Sequence, residues 1–219
     1  MELETLYEDA DLIAVNKPAG MLVESALGNE LSLLDRLSKA LGRKVVSYHR
    51  LDRDTSGVVL FGKTARLNRE MGLLFAEKRI RKEYWALVEG EWPKGLNRVE
   101  SRIGPLGNGR WANQDDGGKP ALTTFRRLGG FEGVSWIQAL PKTGRTHQIR
   151  LHCLKAGFPI LGDRVYGEEG EFLALHARRI CFRHPKLGKD VAIEARLPDC
   201  WDGAMRNLSE GARDAGLDR

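Results

Sequence analysis

The feature that most constrains this chain is a strongly polar loop placed directly before a very apolar segment. The loop, residues 49–57, reads His-Arg-Leu-Asp-Arg-Asp-Thr-Ser-Gly, and Val58–Phe61 follows it at once. An apolar run of this length between two glycines predicts a buried strand. A rigid strand can hold a loop side chain still while leaving it accessible, which makes Asp52 a catalytic candidate. The alternative is a structural turn, capped by its acids and with its arginines paired to them.

Length and composition are compatible with one large domain or two small ones. The chain has 219 residues, and its hydrophobic content of 42% is enough for a core. No apolar run approaches a membrane span, and the acidic N-terminus lacks a signal-peptide core. Its three widely spaced cysteines suit a reducing cytosol, so we expect a cytoplasmic protein. The net charge of +5 favours a polyanionic partner without proving one.

Hydrophobic periodicity predicts a mixture of strands and helices. Strands are expected within residues 3–16 and at residues 58–61, 84–88, 98–103, 173–176, 180–182 and 191–194. Helices are expected over 31–41 and 64–75, with Thr64 as a cap and Gly42 as a stop signal. Within residues 93–119, the strand at 98–103 is expected to be followed by a long loop. Residues 122–128 and 134–140 predict a hairpin around Gly129-Gly130.

A second polar cluster occupies residues 142–152, where a helix is expected to begin with Thr143 or Thr146 as its cap. Helical spacing places Arg150 on one face with apolar Leu151 and Leu154. A buried arginine needs an anionic partner, because an unpaired charge is costly to bury. The alternative is an ordinary pair with any surface carboxylate.

The sequence lacks the motifs of several common metal-binding, phosphate-binding and catalytic sites. The spacing of His176, Cys181 and His184 is not that of a zinc site. The sequence contains no Gly-x-x-x-x-Gly-Lys-Ser/Thr phosphate loop and no Gly-x-Ser-x-Gly nucleophile elbow. What remains is a carboxylate-based reaction with arginine support on a basic protein.

Six segments in a fixed order between about Leu6 and Pro198 carry a family resemblance. They are Val15–Gly20, His49–Gly57, Lys82–Ala86, Thr143–His152, Gly157–Gly167 and Leu173–Pro185. Together they resemble the RluA-type pseudouridine synthases. His49 at the head of the second segment favours this branch over the RsuA branch, which more typically carries glycine there.

The resemblance implies an α+β fold, with a mixed, largely antiparallel central β-sheet flanked by helices. It implies an enzyme that isomerises specific uridines of structured ribosomal or transfer RNA without cofactor or metal. Asp52 would be the essential carboxylate, Arg150 its ion-pair partner, and Tyr84 the tyrosine that stacks on the uracil. Further contacts with the flipped nucleotide or its phosphates are expected from His49, Arg50, Arg53, Arg145, His147 and Leu175.

Many members of this family carry an N-terminal S4-type RNA-binding domain. Since the first strand is expected near residue 3, the sequence predicts a stand-alone catalytic domain over residues 1–202, with a frayed tail at 203–219. A monomer that does not bind membranes is expected. Two other functions stay open: an RNA-binding module or chaperone without catalysis, and a hydrolytic glycosidase that uses Asp54 as a second carboxylate.

Overall fold

A computed structural model describes residues 3–25 and 31–201, and these form two compact units. The first unit contains Met1–Lys82 and Ala177–Leu197, and the second contains Glu83–His176 and Pro198–Arg219. The expected frayed tail lies outside the described residues. The single domain over residues 1–202 stays a prediction.

The described elements are mostly antiparallel strands with a few helices, which confirms the expected α+β fold class. In chain order they are β1 (Thr5–Glu8), β2 (Leu12–Lys17), α1 (Leu33–Leu41), β3 (Val46–Ser47), β4 (Ser56–Gly62), α2 (Asn68–Ala76), β5 (Arg81–Glu89), β6 (Arg98–Gly107), β7 (Arg110–Gln114), β8 (Lys119–Phe131), β9 (Val134–Pro141), α3 (Gln148–Lys155), β10 (Leu175–Arg183) and β11 (Asp190–Glu194). None of the helices among the described residues is both long and apolar enough to cross a membrane.

In the first unit the strand order is β1-β2-β4-β10, with β3 paired to β4 and β11 paired to β10. The apolar run predicted as a buried strand is β4, and all seven of its residues are buried. Antiparallel pairing sets Val15 opposite Val59 and Lys17 opposite Gly57. The C-terminal end of β2 therefore lies beside the N-terminal end of β4, immediately after the Asp52 loop.

The helices of the first unit form, but both begin later than expected, α1 at Leu33 and α2 at Asn68. Ser32 and Asp35 form a capping box at the start of α1, and Gly42 ends it in the left-handed conformation at φ 62°. Thr64 caps a single 3-10 turn, Ala65–Leu67, that leads into α2. The predicted apolar stripe of α2 packs into a core cluster with residues of β2 and β4.

Gly57, the last residue of the polar loop, is a position where only glycine fits. Its φ is 113°, and a Cβ added there would lie 2.3 Å from the carbonyl oxygen of Ala177. This close approach brings the backbones of β4 and β10 together. Strand β10 runs from Leu175 to Arg183, so it contains the second half of the segment predicted at 173–176 and all of the segment predicted at 180–182.

In the second unit the strand order is β5-β9-β8-β6-β7, and the described pairings are antiparallel. The long loop expected after residue 103 is wrong, because β6 continues to Gly107 and pairs with β7. Gly107, Asn108 and Gly109 all have positive φ and make the hairpin turn. Their composition indicates a loop, but backbone pairing decides the structure.

The β8–β9 hairpin forms as predicted, but its turn is not at Gly129-Gly130. These glycines lie inside β8, whereas the turn is made by Glu132 and Gly133, with φ of 47° and 77°. A bulge near Leu128 shifts the register by one residue. Gly129 and Gly130 therefore follow the bulge within β8, and the tight turn comes after them.

Helix α3 forms, but neither predicted threonine caps it. His147 occupies the N-cap position in the left-handed conformation, with φ 55°, and makes no side-chain cap. The hydroxyl of Thr143 instead donates to the side-chain Oε1 of Gln148 at 2.6 Å, and the same oxygen accepts the backbone N–H of Arg145 at 3.0 Å. The first residue of the helix thus organises the preceding loop through its side chain.

Candidate active site

Asp52 lies in a tight turn whose two sides are anchored in the first unit. The N–H of Thr55 donates to the carbonyl oxygen of Asp52 at 3.2 Å. Leu51 and Thr55 are buried, whereas Asp52 is half-buried and Arg53 is exposed. The turn therefore fixes the backbone on both sides of Asp52 while the residue as a whole stays half-buried, which suits a group held in place for catalysis.

A fully buried lysine supports this turn from the end of β2. The Nζ of Lys17 donates to three backbone carbonyl oxygens, those of Pro18 at 2.9 Å and of Met21 and Arg53 at 2.8 Å. An ammonium group has three N–H donors, so each one is matched to a carbonyl. Sequence reasoning missed this role, although Lys17 belongs to the family segment Val15–Gly20. The available signal was a lysine shortly after four consecutive apolar residues, Leu12–Val15.

The ammonium group of Lys17, at the end of β2, is influenced by charged side chains of the Asp52 loop. Burial lowers its pKa to about 8, and the nearby carboxylates of Asp54 and Asp52 oppose part of that shift, while Arg53 adds to it. At neutral pH the ammonium form therefore prevails. Lys17 links the β2 end to the backbone of the loop and supplies positive charge near its two acids.

We predict that Lys17 gives stability an unusual pH dependence. The pKa of lysine is about 10.5 when unperturbed and about 8 for buried Lys17, so between these values the unfolded chain binds more protons. The free energy of unfolding should rise with pH through this window, and the cost of burying the charge should be fully present below it. Between these two pH values, the free energy of unfolding of the wild type should rise by roughly 3 kcal/mol relative to that of Lys17→Met.

Denaturant unfolding of both proteins at stepped pH values measures this gain, because other titrations cancel in the difference. Lys44→Met, at an exposed position, is the control for loss of a lysine charge. If the difference in free energy of unfolding between the wild type and Lys17→Met stayed constant across this pH window, Lys17 would not be a buried lysine with a lowered pKa.

His49 has a structural contact in the first unit. Its Nε2 accepts the backbone N–H of Leu60 at 3.1 Å, and its ring stacks on Phe75 with centroids 5.3 Å apart. Burial, helped by the charge of Lys82, lowers its pKa to about 3, so the ring is neutral and can accept this bond. Its predicted contact with substrate stays a prediction, and it would have to be made by a ring held in this way.

The two other first-unit candidates are arginines on the loop itself. Arg50 and Arg53 are exposed, and the Nη1 of Arg53 lies 3.5 Å from the carbonyl oxygen of Gly20. Exposed guanidinium groups are suited to phosphate, since they bind without burying charge. Their predicted substrate contacts stay predictions.

Two candidates for contacts with the base lie in the second unit. Tyr84 is half-buried on β5, where it pairs with Ala139 of β9. Leu175 begins β10 and is 3% exposed. A half-buried aromatic ring can stack on a base, whereas an almost fully buried leucine offers little surface to one. Neither role is tested by these contacts.

Arg150 has the anionic partner that its place on α3 requires. Its Nε and Nη2 donate to Oδ2 and Oδ1 of Asp163 at 2.7 and 2.6 Å, and both side chains are buried. This bidentate pair is the strongest geometry available to an arginine and a carboxylate. Its Nη1 takes no part in this pair. The expected pairing of Arg150 with Asp52 stays a prediction.

The second polar cluster also contains Arg145 and His147. The Nε of Arg145 donates to the carbonyl oxygen of Pro120 at 3.0 Å. Nδ1 of His147 and the hydroxyl of Tyr166 are hydrogen-bonded at 2.8 Å. Both predicted substrate contacts stay predictions, and the structure shows that each side chain is held by a neighbour in its own unit.

Within residues 3–25 and 31–201, no three His, Cys, Asp or Glu side chains come together as a metal site would require. In the first unit, the half-buried Asp52 lies on a loop that the buried Lys17 supports. In the second unit, the buried Arg150 is paired with the carboxylate of Asp163. Such groups can serve a reaction in which a carboxylate attacks or takes a proton while cations stabilise charge.

Comparison with known sequences gives a consistent result. Residues 11–155 match a family model described as RNA pseudouridylate synthase. The chain is 36% identical over 211 residues to a protein of Buchnera aphidicola subsp. Acyrthosiphon pisum named ribosomal large subunit pseudouridine synthase C, covering 88% of this chain and 66% of that protein. It is 35% identical to a Neisseria meningitidis serogroup A protein named ribosomal large subunit pseudouridine synthase D, covering 100% and 63%. The chain thus spans a little under two thirds of the length of these relatives.

Solved structures share the fold. The human protein named RNA pseudouridylate synthase domain containing 1 superposes with a TM-score of 0.76 at 26% identity, over 90% of this chain and 84% of that chain. Human RNA pseudouridylate synthase domain containing 4 gives a TM-score of 0.77 at 22% identity, which shows the fold alone.

Proposed function

The chain belongs to the RNA pseudouridylate synthase family, and we propose on that premise that it isomerises specific uridines of structured RNA through Asp52. Two of its relatives are named for the large ribosomal subunit, so ribosomal RNA is the first substrate to test and transfer RNA the second. The observation that carries the proposal is the Asp52 turn, because its backbone is fixed by buried neighbours and by Lys17 while Asp52 itself is only half-buried.

The proposed reaction is an isomerisation that needs no oxidant or reductant. The bond between N1 of the uracil and C1′ of the ribose breaks, the base turns over, and C5 is joined to C1′. The C5 proton is lost to solvent and N1 gains a proton, so the atoms balance. The base must first leave its stack, at a cost of a few kcal/mol that loops and single strands reduce.

Each residue has a proposed role in this reaction. Asp52 acts in its ionised form as nucleophile or base, and Arg150 serves as the cation for that carboxylate. Tyr84 stacks on the uracil. The remaining candidates contact the flipped nucleotide or flanking phosphates, where basic side chains supply sequence-independent affinity. They are His49, Arg50, Arg53, Arg145, His147 and Leu175.

Tritium release from C5 tests the function directly. Ribosomal and transfer RNA transcripts carrying [5-³H]uridine are incubated with the protein, and the water fraction is counted. We expect release in step with pseudouridine detected by nucleoside analysis. RNA binding without release would favour the non-catalytic RNA-binding module, and free uracil among the products would favour the glycosidase.

A further inference from the structure

A buried carboxylate, Asp163, holds Arg150 in one orientation within the second unit. It lies in a turn between α3 and β10, and its side chain is 1% exposed. The turn is closed by its own backbone, because the N–H of Gly167 donates to the carbonyl oxygen of Asp163 at 2.7 Å. The carboxylate therefore sits on a defined piece of backbone rather than on a loose loop.

All four bonds to this carboxylate come from fixed donors. Oδ1 accepts Nη2 of Arg150 at 2.6 Å and the backbone N–H groups of Val165 and Tyr166 at 3.0 and 3.1 Å. Oδ2 accepts Nε of Arg150 at 2.7 Å. A carboxylate whose lone pairs are engaged in this way is well suited to fixing a guanidinium plane.

The face of the same guanidinium is also covered. Its central carbon lies 5.0 Å from the centroid of the Tyr166 ring, within the range of a cation–π contact. Tyr166 is itself anchored, since its hydroxyl donates to the carbonyl oxygen of Trp111 at 3.0 Å and bonds His147 at 2.8 Å. Edge and face contacts together leave the guanidinium little freedom to rotate.

We infer that Asp163 is a positioning residue for the isomerisation, acting through Arg150 and not on the substrate. The inference rests on the proposed function of Arg150 as the cation for the catalytic carboxylate. Two of the three guanidinium nitrogens belong to the Asp163 pair. The pair thereby sets the direction in which Nη1 and the remaining N–H groups can serve the reaction.

Asp163→Asn separates positioning from folding. The amide oxygen of asparagine can still accept the N–H groups of Val165 and Tyr166, so the turn can survive, whereas its NH₂ group cannot accept from Arg150. We expect the single-turnover rate at saturating RNA to fall at least about 100-fold, since a displacement of about 1 Å can cost that much. The Kd for RNA should change less than about threefold, because the substituted residue is buried.

A double-mutant cycle with Arg150→Met supplies the decisive readout. If both residues act as one unit, the double variant should be no slower than Arg150→Met alone. Asp116→Asn, an exposed acid of the same unit, is the control and should keep the wild-type rate. Wild-type turnover by folded Asp163→Asn, or rate losses that multiply in the double variant, would overturn the inference.

Asp163→Glu covers the case in which Asp163→Asn does not fold. Glutamate keeps the charge but moves the carboxylate by one methylene, so we expect at least about a tenfold lower rate with unchanged RNA binding. A wild-type rate for Asp163→Glu would likewise overturn the inference. If the wild-type protein itself released no tritium from any RNA, the proposed function would fail and not the link between these two residues.

Discussion

Asp52→Asn should abolish tritium release from C5-labelled RNA while leaving the fold and the RNA affinity close to those of the wild type. The amide nearly matches the carboxylate in size, and Asp52 is only half-buried, so packing around the turn is retained. Its neutral oxygen, however, is neither a useful base nor a nucleophile at neutral pH. We expect a single-turnover rate at least about 10⁴-fold lower.

Asp54→Asn is the matched control, because this half-buried acid lies two residues away in the same loop. It should retain activity within about tenfold of the wild type, whereas the glycosidase alternative, with Asp54 as second carboxylate, predicts a loss as large as that of Asp52→Asn. Melting curves and filter binding establish that both variants fold and bind RNA. Isomerisation by Asp52→Asn at the wild-type rate would remove Asp52 from the mechanism.

Arg150→Lys should lower the single-turnover rate at least about 100-fold, although it keeps the positive charge. Lysine presents a point charge on a flexible stem and cannot reproduce the two parallel bonds that Nε and Nη2 make to Asp163. The group that we propose as the cation for Asp52 would then lose its fixed direction. The rate should be divided by the concentration of folded protein, because weakening the buried Arg150–Asp163 pair also lowers the stability of the fold.

Arg53→Lys provides the comparison on the loop that carries Asp52. Arg53 is exposed, and its Nη1 lies 3.5 Å from the carbonyl oxygen of Gly20, which is a long contact. We expect less than about a tenfold loss in rate, with a change mainly in RNA affinity and its salt dependence. Equal losses for Arg53→Lys and Arg150→Lys would remove the reason for singling out Arg150.

Local sequence patterns were sufficient for much of the fold. The buried strand β4, the capped helix α1 and the apolar stripe of α2 all follow from hydrophobic period and cap residues. These signals are local, because each depends on residues within a few positions of one another. The family resemblance and the choice of Asp52 rest on the same kind of short, ordered segments.

Local patterns failed where backbone geometry and pairing decide. The glycine-rich segment after residue 103 has the composition of a loop, yet β6 and β7 pair across Gly107–Gly109. The hairpin turn falls on Glu132, which adopts a positive φ that its residue type rarely takes, and not on the two glycines before it. In both cases hydrogen bonds to a neighbouring strand outweigh the propensities of the residues.

By itself, then, the sequence determined the α+β class, the family and the loop that carries the candidate carboxylate, because periodicity and motif order are properties of the linear chain. Only the tertiary structure decided that Lys17 binds the carbonyl of Arg53, 36 residues away, and that Arg150 pairs with Asp163, 13 residues away. A buried charge needs a partner that offsets its cost of desolvation. Which opposite charge or carbonyl oxygen becomes that partner depends on the packed backbone, because only the folded chain brings the two groups close together.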